Sequence, residues 1–123
     1  MASGVTFHDL GSHVVCHFTG RFALQPLLEL ARDVRAYCVE HGHRRVLVDL
    51  RESRGELSAL ERYEHAVEVS QTRGPGLRAA LLVRPDQAFP DRFWETVTRN
   101  RGLATHVATD ADEALAWLRG DEP

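Results

Sequence analysis

The chain has 123 residues, a length for one domain. Hydrophobic residues make up 43% and charged residues 27%, which excludes a disordered chain. A formal net charge of −3, from 15 basic and 18 acidic side chains, argues against a nucleic-acid partner, which favours a basic surface. No apolar run approaches the roughly 20 residues of a membrane span. The start, Met1-Ala2-Ser3-Gly4-Val5, lacks the basic flank and apolar run of a secretory signal. The expectation is a cytoplasmic protein.

In chain order, Val5-Thr6-Phe7-His8 alternates like a strand, and Asp9-Leu10-Gly11-Ser12 has turn chemistry. His13 to Phe18 is a second strand, and the short link predicts an antiparallel hairpin. Leu27, Leu30, Ala31, Val34 and Cys38 recur at spacings of three and four, which predicts a helix from Leu24 to His41. Pro26 suits its first turn, and Gly42 suits a left-handed cap. Arg45 to Leu50 is a strand apolar enough to be buried on both faces, as in a parallel sheet.

After a loop from Arg51 to Leu57, Ser58-Ala59-Leu60-Glu61 reads as a capping box. The helix it opens should run to about Thr72, before the breaker Gly74-Pro75-Gly76. Leu77 to Val83 is the next strand. Pro90 fits a first helical position, and Phe93, Trp94 and Val97 supply that helix's apolar face. Leu103 to Ala108 is the last strand. Asp110-Ala111-Asp112-Glu113 resembles a second capping box and opens a helix carrying Ala114, Leu115, Trp117 and Leu118, which Gly120 stops. The order β-β-α-β-α-β-α-β-α predicts an α/β domain over residues 1–120, with 121–123 as a free tail. Its sheet should be five-stranded and mostly parallel, with the first strand antiparallel at an edge and four flanking helices.

Phe18-Thr19-Gly20 at the end of the second strand, Arg45-Val46-Leu47-Val48-Asp49-Leu50 as the third, and the terminal Asp110-Ala111-Asp112-Glu113-Ala114-Leu115-Ala116-Trp117-Leu118, together with the element order, resemble the STAS-like group of small bacterial proteins. That group is related to anti-sigma-factor antagonists and shares its architecture with lipid-carrying CRAL-TRIO domains. The resemblance covers almost the whole chain. It implies a non-enzymatic regulatory or interaction module that contacts another protein or itself, as a homodimer. Its relatives also suggest a carrier of a small apolar (lipid-like) or anionic ligand held between helix and sheet. The antagonists carry a phosphorylated serine in an Asp-Ser-Ser-Gly turn after a longer connection. Here Arg51-Glu52-Ser53-Arg54-Gly55 follows the strand, without the motif's aspartate or second serine. Ser53 therefore reads either as the phosphorylation site of a switched antagonist or as a turn residue.

Candidate binding residues follow from the fold class, because ligands of open α/β sheets sit beyond the carboxyl ends of the strands. Asp49, Arg51, Ser53 and Gly55 fall there after the third strand, and Arg84, Asp86 and Thr109 follow the fourth and fifth. This set suits a small anion or a partner. Phe89-Pro90-Asp91-Arg92-Phe93-Trp94 holds three aromatic rings; Phe93 and Trp94 suit the core, and Phe89 is either a helix staple or part of a partner surface.

No metal or cofactor is expected. Seven histidines (8, 13, 17, 41, 43, 65 and 106) are a rich supply, but His13 and His17 lie about 13 Å apart along a strand. Zinc holds its nitrogen ligands at about 2.0–2.1 Å, so surface and capping roles are expected. His41-Gly42-His43 suits a helix C-terminus. Cys16 and Cys38 lack metal-type spacing and read as small buried hydrophobes. All basic residues are arginine, so no P-loop ammonium exists, and neither GxSxG nor GxGxxG is present. No catalytic residue is assigned.

Overall fold

The computed structural model describes residues 4–71, 76–88 and 92–120. β1 (Val5–Asp9) and β2 (Val14–Phe18) form the expected antiparallel hairpin. Gly11 takes its turn, its N–H bonded to the Asp9 carboxylate at 2.9 Å. β3 (Arg45–Asp49), β4 (Arg78–Leu82) and β5 (Ala104–Ala108) then add in sequence, all parallel to β2, so the sheet order is β1-β2-β3-β4-β5. The predicted α/β class and strand directions are borne out; strand ends differ by a residue or two, where turn bonds take over from the ladder.

The crossovers are α1 (Leu24–His41), α2 (Ala59–Ser70) and α3 (Phe93–Asn100), and α4 (Ala111–Arg119) closes the chain. Strands that advance in one direction through right-handed crossovers place every crossover helix on one face. Accordingly α1 packs on α2 and α2 on α3, while α4 alone covers the other face, over β3, β4 and β5. The strand alternation divides the core to match. Val14, Cys16, Phe18, Val46 and Val48 meet Leu27, Leu30, Val34 and Cys38 of α1. Leu47, Ala80, Leu82 and Ala108 meet Ala114, Trp117 and Leu118 of α4.

Caps fix the helix ends. Gly42 sits at φ 71°, its N–H bonded to the Cys38 and Val39 carbonyls. Ser58 and Glu61 form the predicted reciprocal box, with bonds of 3.1 and 2.9 Å. The second box forms only by half. Asp110 caps the Asp112 N–H, but Glu113 turns instead to His106 Nε2 at 2.8 Å. α2 ends at Ser70, short of Thr72, which with Arg73, Gly74 and Pro75 lies outside the described residues.

α3 departs further from expectation. It begins at Phe93, after Arg92 in the left-handed region at φ 53°; Phe89 and Pro90 lie outside the described residues. Its buried side chains are Trp94, Glu95 and Thr98, whereas Phe93 is 37% exposed and Val97 half-buried. Polar partners explain the shift. Glu95 is bonded by Arg92 at 2.9 Å, and Thr98 meets Thr105 of β5 at 2.7 Å. A buried polar group with its bonds made is tolerated where an unpaired one is not.

The cysteines are free and buried in the α1 face of the core. Burial, with Cys38 and Asp33 nearby, pushes the Cys16 thiol up to about 12, so both stay as inert thiols. No helix among the described residues is long and apolar enough to cross a membrane.

Candidate functional site

Parallel register brings Asp49, Leu82 and Ala108 level across the sheet, so the loops after β3, β4 and β5 meet at one edge. Asp49 accepts from the Arg51 backbone N–H at 3.0 Å and from its guanidinium at 3.0 and 3.1 Å. Burial alone would raise the Asp49 carboxyl, but the bonds and charge of Arg51 outweigh it and hold the group below the usual carboxylate range. Arg84 pairs with Asp86 at 3.0 Å and donates to the Arg51 and Ser53 carbonyls. The Arg84 guanidinium also holds the Asp86 carboxyl low.

Gln87, 5% exposed, fastens the same loop. Its amide N–H₂ donates to the Leu50 carbonyl at 3.0 Å and to Ser53 Oγ at 3.1 Å, and its oxygen accepts from the Arg84 N–H at 2.8 Å. Ser53 is 0% exposed, its hydroxyl donating to the Leu50 carbonyl at 2.5 Å. This is the turn role; a kinase reaches that hydroxyl only after the loop opens. Gly55 closes the loop against the chain before α1. The Phe22 N–H bonds the Arg54 carbonyl at 2.7 Å, and a Cβ on Gly55 (φ 130°) would fall 2.5 Å from the Phe22 carbonyl oxygen. Only glycine fits such an approach.

The structure thus joins Asp49, Arg51, Ser53, Gly55, Arg84 and Asp86 into one cluster. Thr109 is exposed and joins none of these bonds, and Phe89 lies outside the described residues. Gln87, absent from the expected set, is the cluster's hub; a glutamine one residue past Arg84-Pro85-Asp86 carries no motif that marks it. The cluster's donors and acceptors mostly satisfy one another.

A different feature lies between the helix layer and the sheet, a cavity of about 290 Å³. Its floor includes Val46, Val48, Ala79, Leu81 and Val107, and its roof includes Leu30, Ala31, Val34 and Val69. Small side chains line it from both layers, Ala31 of α1 and Ser70 of α2 above and Ala79 of β4 below. α2 buries only Ala66 and Ser70 among its described side chains. The consequence is visible in β4, where Ala79 and Leu81 are only half-buried although β4 is an interior strand. Dense packing is the rule for protein interiors, and this layer departs from it.

Two of the wall's polar side chains, Trp94 and His65, bond to each other. Trp94 Nε1–H donates to His65 Nδ1 at 2.9 Å. Indole N–H only donates, so His65 Nδ1 accepts and the neutral ring carries its proton on Nε2. That nitrogen has no hydrogen-bond partner among the described residues. Burial holds the imidazole pKa below its usual value; the Leu27 carbonyl pulls weakly the other way without reaching bonding geometry. The histidine surface roles expected from sequence hold at His17, bonded to Glu52 at 2.9 Å, and His43, bonded to Asp9 at 2.8 Å. His65, in the helix layer, departs from them, and so does His13, whose Nε2 is buried without a hydrogen-bond partner among the described residues. Among the described residues no group of three or more His, Cys, Asp or Glu is placed to hold a metal.

No protein-family model matches the sequence, and no curated protein matches it. Among solved structures, the chain is similar to an uncharacterized protein of the DUF3478 family from Shewanella loihica PV-4, described as having a SpoIIAA-like fold. The two are 15% identical, with a TM-score of 0.52 over 93% of this chain and 91% of that one. The likeness shows the fold, in agreement with the element order and the sheet. The chain has a SpoIIAA-like, STAS-like α/β fold.

Proposed function

We propose that this STAS-like chain is a non-enzymatic module that takes up a small, largely apolar ligand between its helix layer and its sheet. The cavity of about 290 Å³ carries the reading. It is close to the lower end of ligand pockets, about 300–1,000 Å³. It is also roughly twice the ~150 Å³ apolar void that binds benzene in an engineered core. Its walls are mainly aliphatic, with the few polar groups that orient a ligand. Nothing in the carboxyl-edge cluster positions a nucleophile against a base, which favours binding over catalysis.

Regulation or contact with another protein, or with a second copy of the chain, is the second reading. The observation that favours it is an exposed apolar patch of Leu60 (66%), Tyr63 (43%) and Phe93, with the Tyr63 and Phe93 rings 6.1 Å apart. A phosphorylation switch at Ser53 rests on the resemblance alone, and its buried hydroxyl means that Ser53→Asp would disrupt the loop in any case. The cytoplasm is the compartment this reading assumes.

Native mass spectrometry of the protein purified from its own host tests the proposal. The expected spectrum shows 13.8 kDa chains carrying extra mass that disappears on denaturation. A bare chain mass in every native charge state would overturn ligand uptake and leave the interaction reading.

A further inference from the structure

Among the described residues, the charges on the cavity wall are of one sign: Arg35 and Arg101 are ionised and none of the lining is Asp or Glu, although acidic side chains outnumber basic ones in the chain. Topology puts both arginines at the same end. α1 runs back from the carboxyl end of β2 to the amino end of β3, so Arg35, in its second half, lies toward the amino end of the strands. α3 makes the same return between β4 and β5, and Arg101 is its C-cap, followed at once by Gly102 and Leu103 on the cavity wall. Arg35 is half-buried and Arg101 exposed, as expected at a rim with a wet outside and an apolar inside. Neither guanidinium has a hydrogen-bond or ion-pair partner among the described residues, a state they share with arginines outside the cavity such as Arg21 and Arg44; what sets them apart is their place on the cavity wall. Guanidinium stays charged at any physiological pH and matches a carboxylate in a two-pronged bond.

We propose that the ligand is an amphiphilic carboxylate, its hydrocarbon body in the cavity and its carboxylate at the amino-end rim, in the positive field that Arg35 and Arg101 set up there. This rests on the ligand-uptake reading above and specifies its chemistry.

The test compares three eight-carbon probes on the full chain by titration calorimetry: octanoate, 1-octanol and octylamine. Octanoate should bind about five- to tenfold tighter than 1-octanol, and octylamine weakest, given two partly exposed charge contacts. The preference should shrink in 0.5 M NaCl, while 1-octanol binding does not weaken. Arg35→Gln combined with Arg101→Gln should bring octanoate to the level of 1-octanol, and Arg32→Gln, on the exposed side of α1, should leave it unchanged. If 1-octanol binds the native chain as well as octanoate, or if the preference survives the double substitution, the carboxylate assignment is wrong while ligand uptake stands. If none of the three binds, uptake itself is wrong. The native-chain and salt comparisons need no variant to fold.

Discussion

Two regions flank the same three parallel strands and use their polar groups in opposite ways. At the carboxyl edge, Asp49, Arg51, Ser53, Arg84, Asp86 and Gln87 bond to one another and to loop carbonyls. In the cavity, His65 Nε2 and two guanidiniums have no hydrogen-bond partner among the described residues, and two core side chains of β4 are half-buried. The first region resembles a staple and the second a site. Topology favours ligands at the carboxyl edge of such sheets, but topology only brings groups together. Whether they remain available depends on whether they have already satisfied each other.

The contrast breaks most sharply at Gln87. Gln87→Leu keeps the volume but orphans the Arg84 N–H and takes one donor each from the Leu50 carbonyl, the Ser53 carbonyl and Ser53 Oγ, while Ser53 still bonds the Leu50 carbonyl. At about 1–3 kcal/mol for the orphaned N–H and about 0.5–1.5 kcal/mol for each further bond lost, the expected loss is about 3 kcal/mol in urea unfolding. A loss below about 1 kcal/mol would mean the edge is not a staple. Gly55→Ala should cost somewhat less, about 1–3 kcal/mol, from a left-handed φ and the close Phe22 carbonyl; an unchanged melting temperature would refute it.

Ala79→Leu acts on the other region with the opposite sign. Filling the gap under α2 should stabilise the chain by about 0.5–2 kcal/mol and abolish uptake of 1-octanol. Destabilisation would mean the space is smaller than it measures. The smallest effect is on pH dependence. His65 resists protonation when folded, and so does His13, both chiefly through burial. The unfolded chain binds the proton more readily, so this stability is complete above about pH 6.5 and declines as pH falls below it. His65→Gln should show a smaller drop in melting temperature between pH 7.5 and 5.5 than the native chain, and an equal drop would remove His65 from the account. A second decline below about pH 4 should follow from Asp49 and Asp86, whose carboxyls the folded state holds low.

Much of the fold is written locally. The alternation of Val14, Cys16 and Phe18, the three-four spacing on α1, and the Ser58–Glu61 box each specify an element through neighbours in sequence, and each appears as read. The α3 face is not local. Its Glu95 and Thr98 are buried because Arg92, Arg99 and Thr105 receive them, and no hydrophobic pattern records that. The carboxyl-edge residues were legible as neighbours, since strand ends and loops are predictable. Their state was not, because it depends on Gln87 reaching back across the sheet edge. The cavity is the least legible feature. Ala31, Ser70 and Ala79 lie on three separate elements, and each alone is an ordinary small residue.

The central claim is that the space between helix layer and sheet is one that a ligand enters. Methyl-resolved NMR titration with 1-octanol tests it directly. The account predicts saturable shifts at the cavity's floor methyls (Val46, Val48, Ala79, Leu81 and Val107) and roof methyls (Leu30, Ala31, Val34 and Val69), absent in Ala79→Leu, with Leu47, Ala80 and Leu82 on the α4 face unmoved. Shifts spread equally over both faces, or none at millimolar octanol, would contradict it.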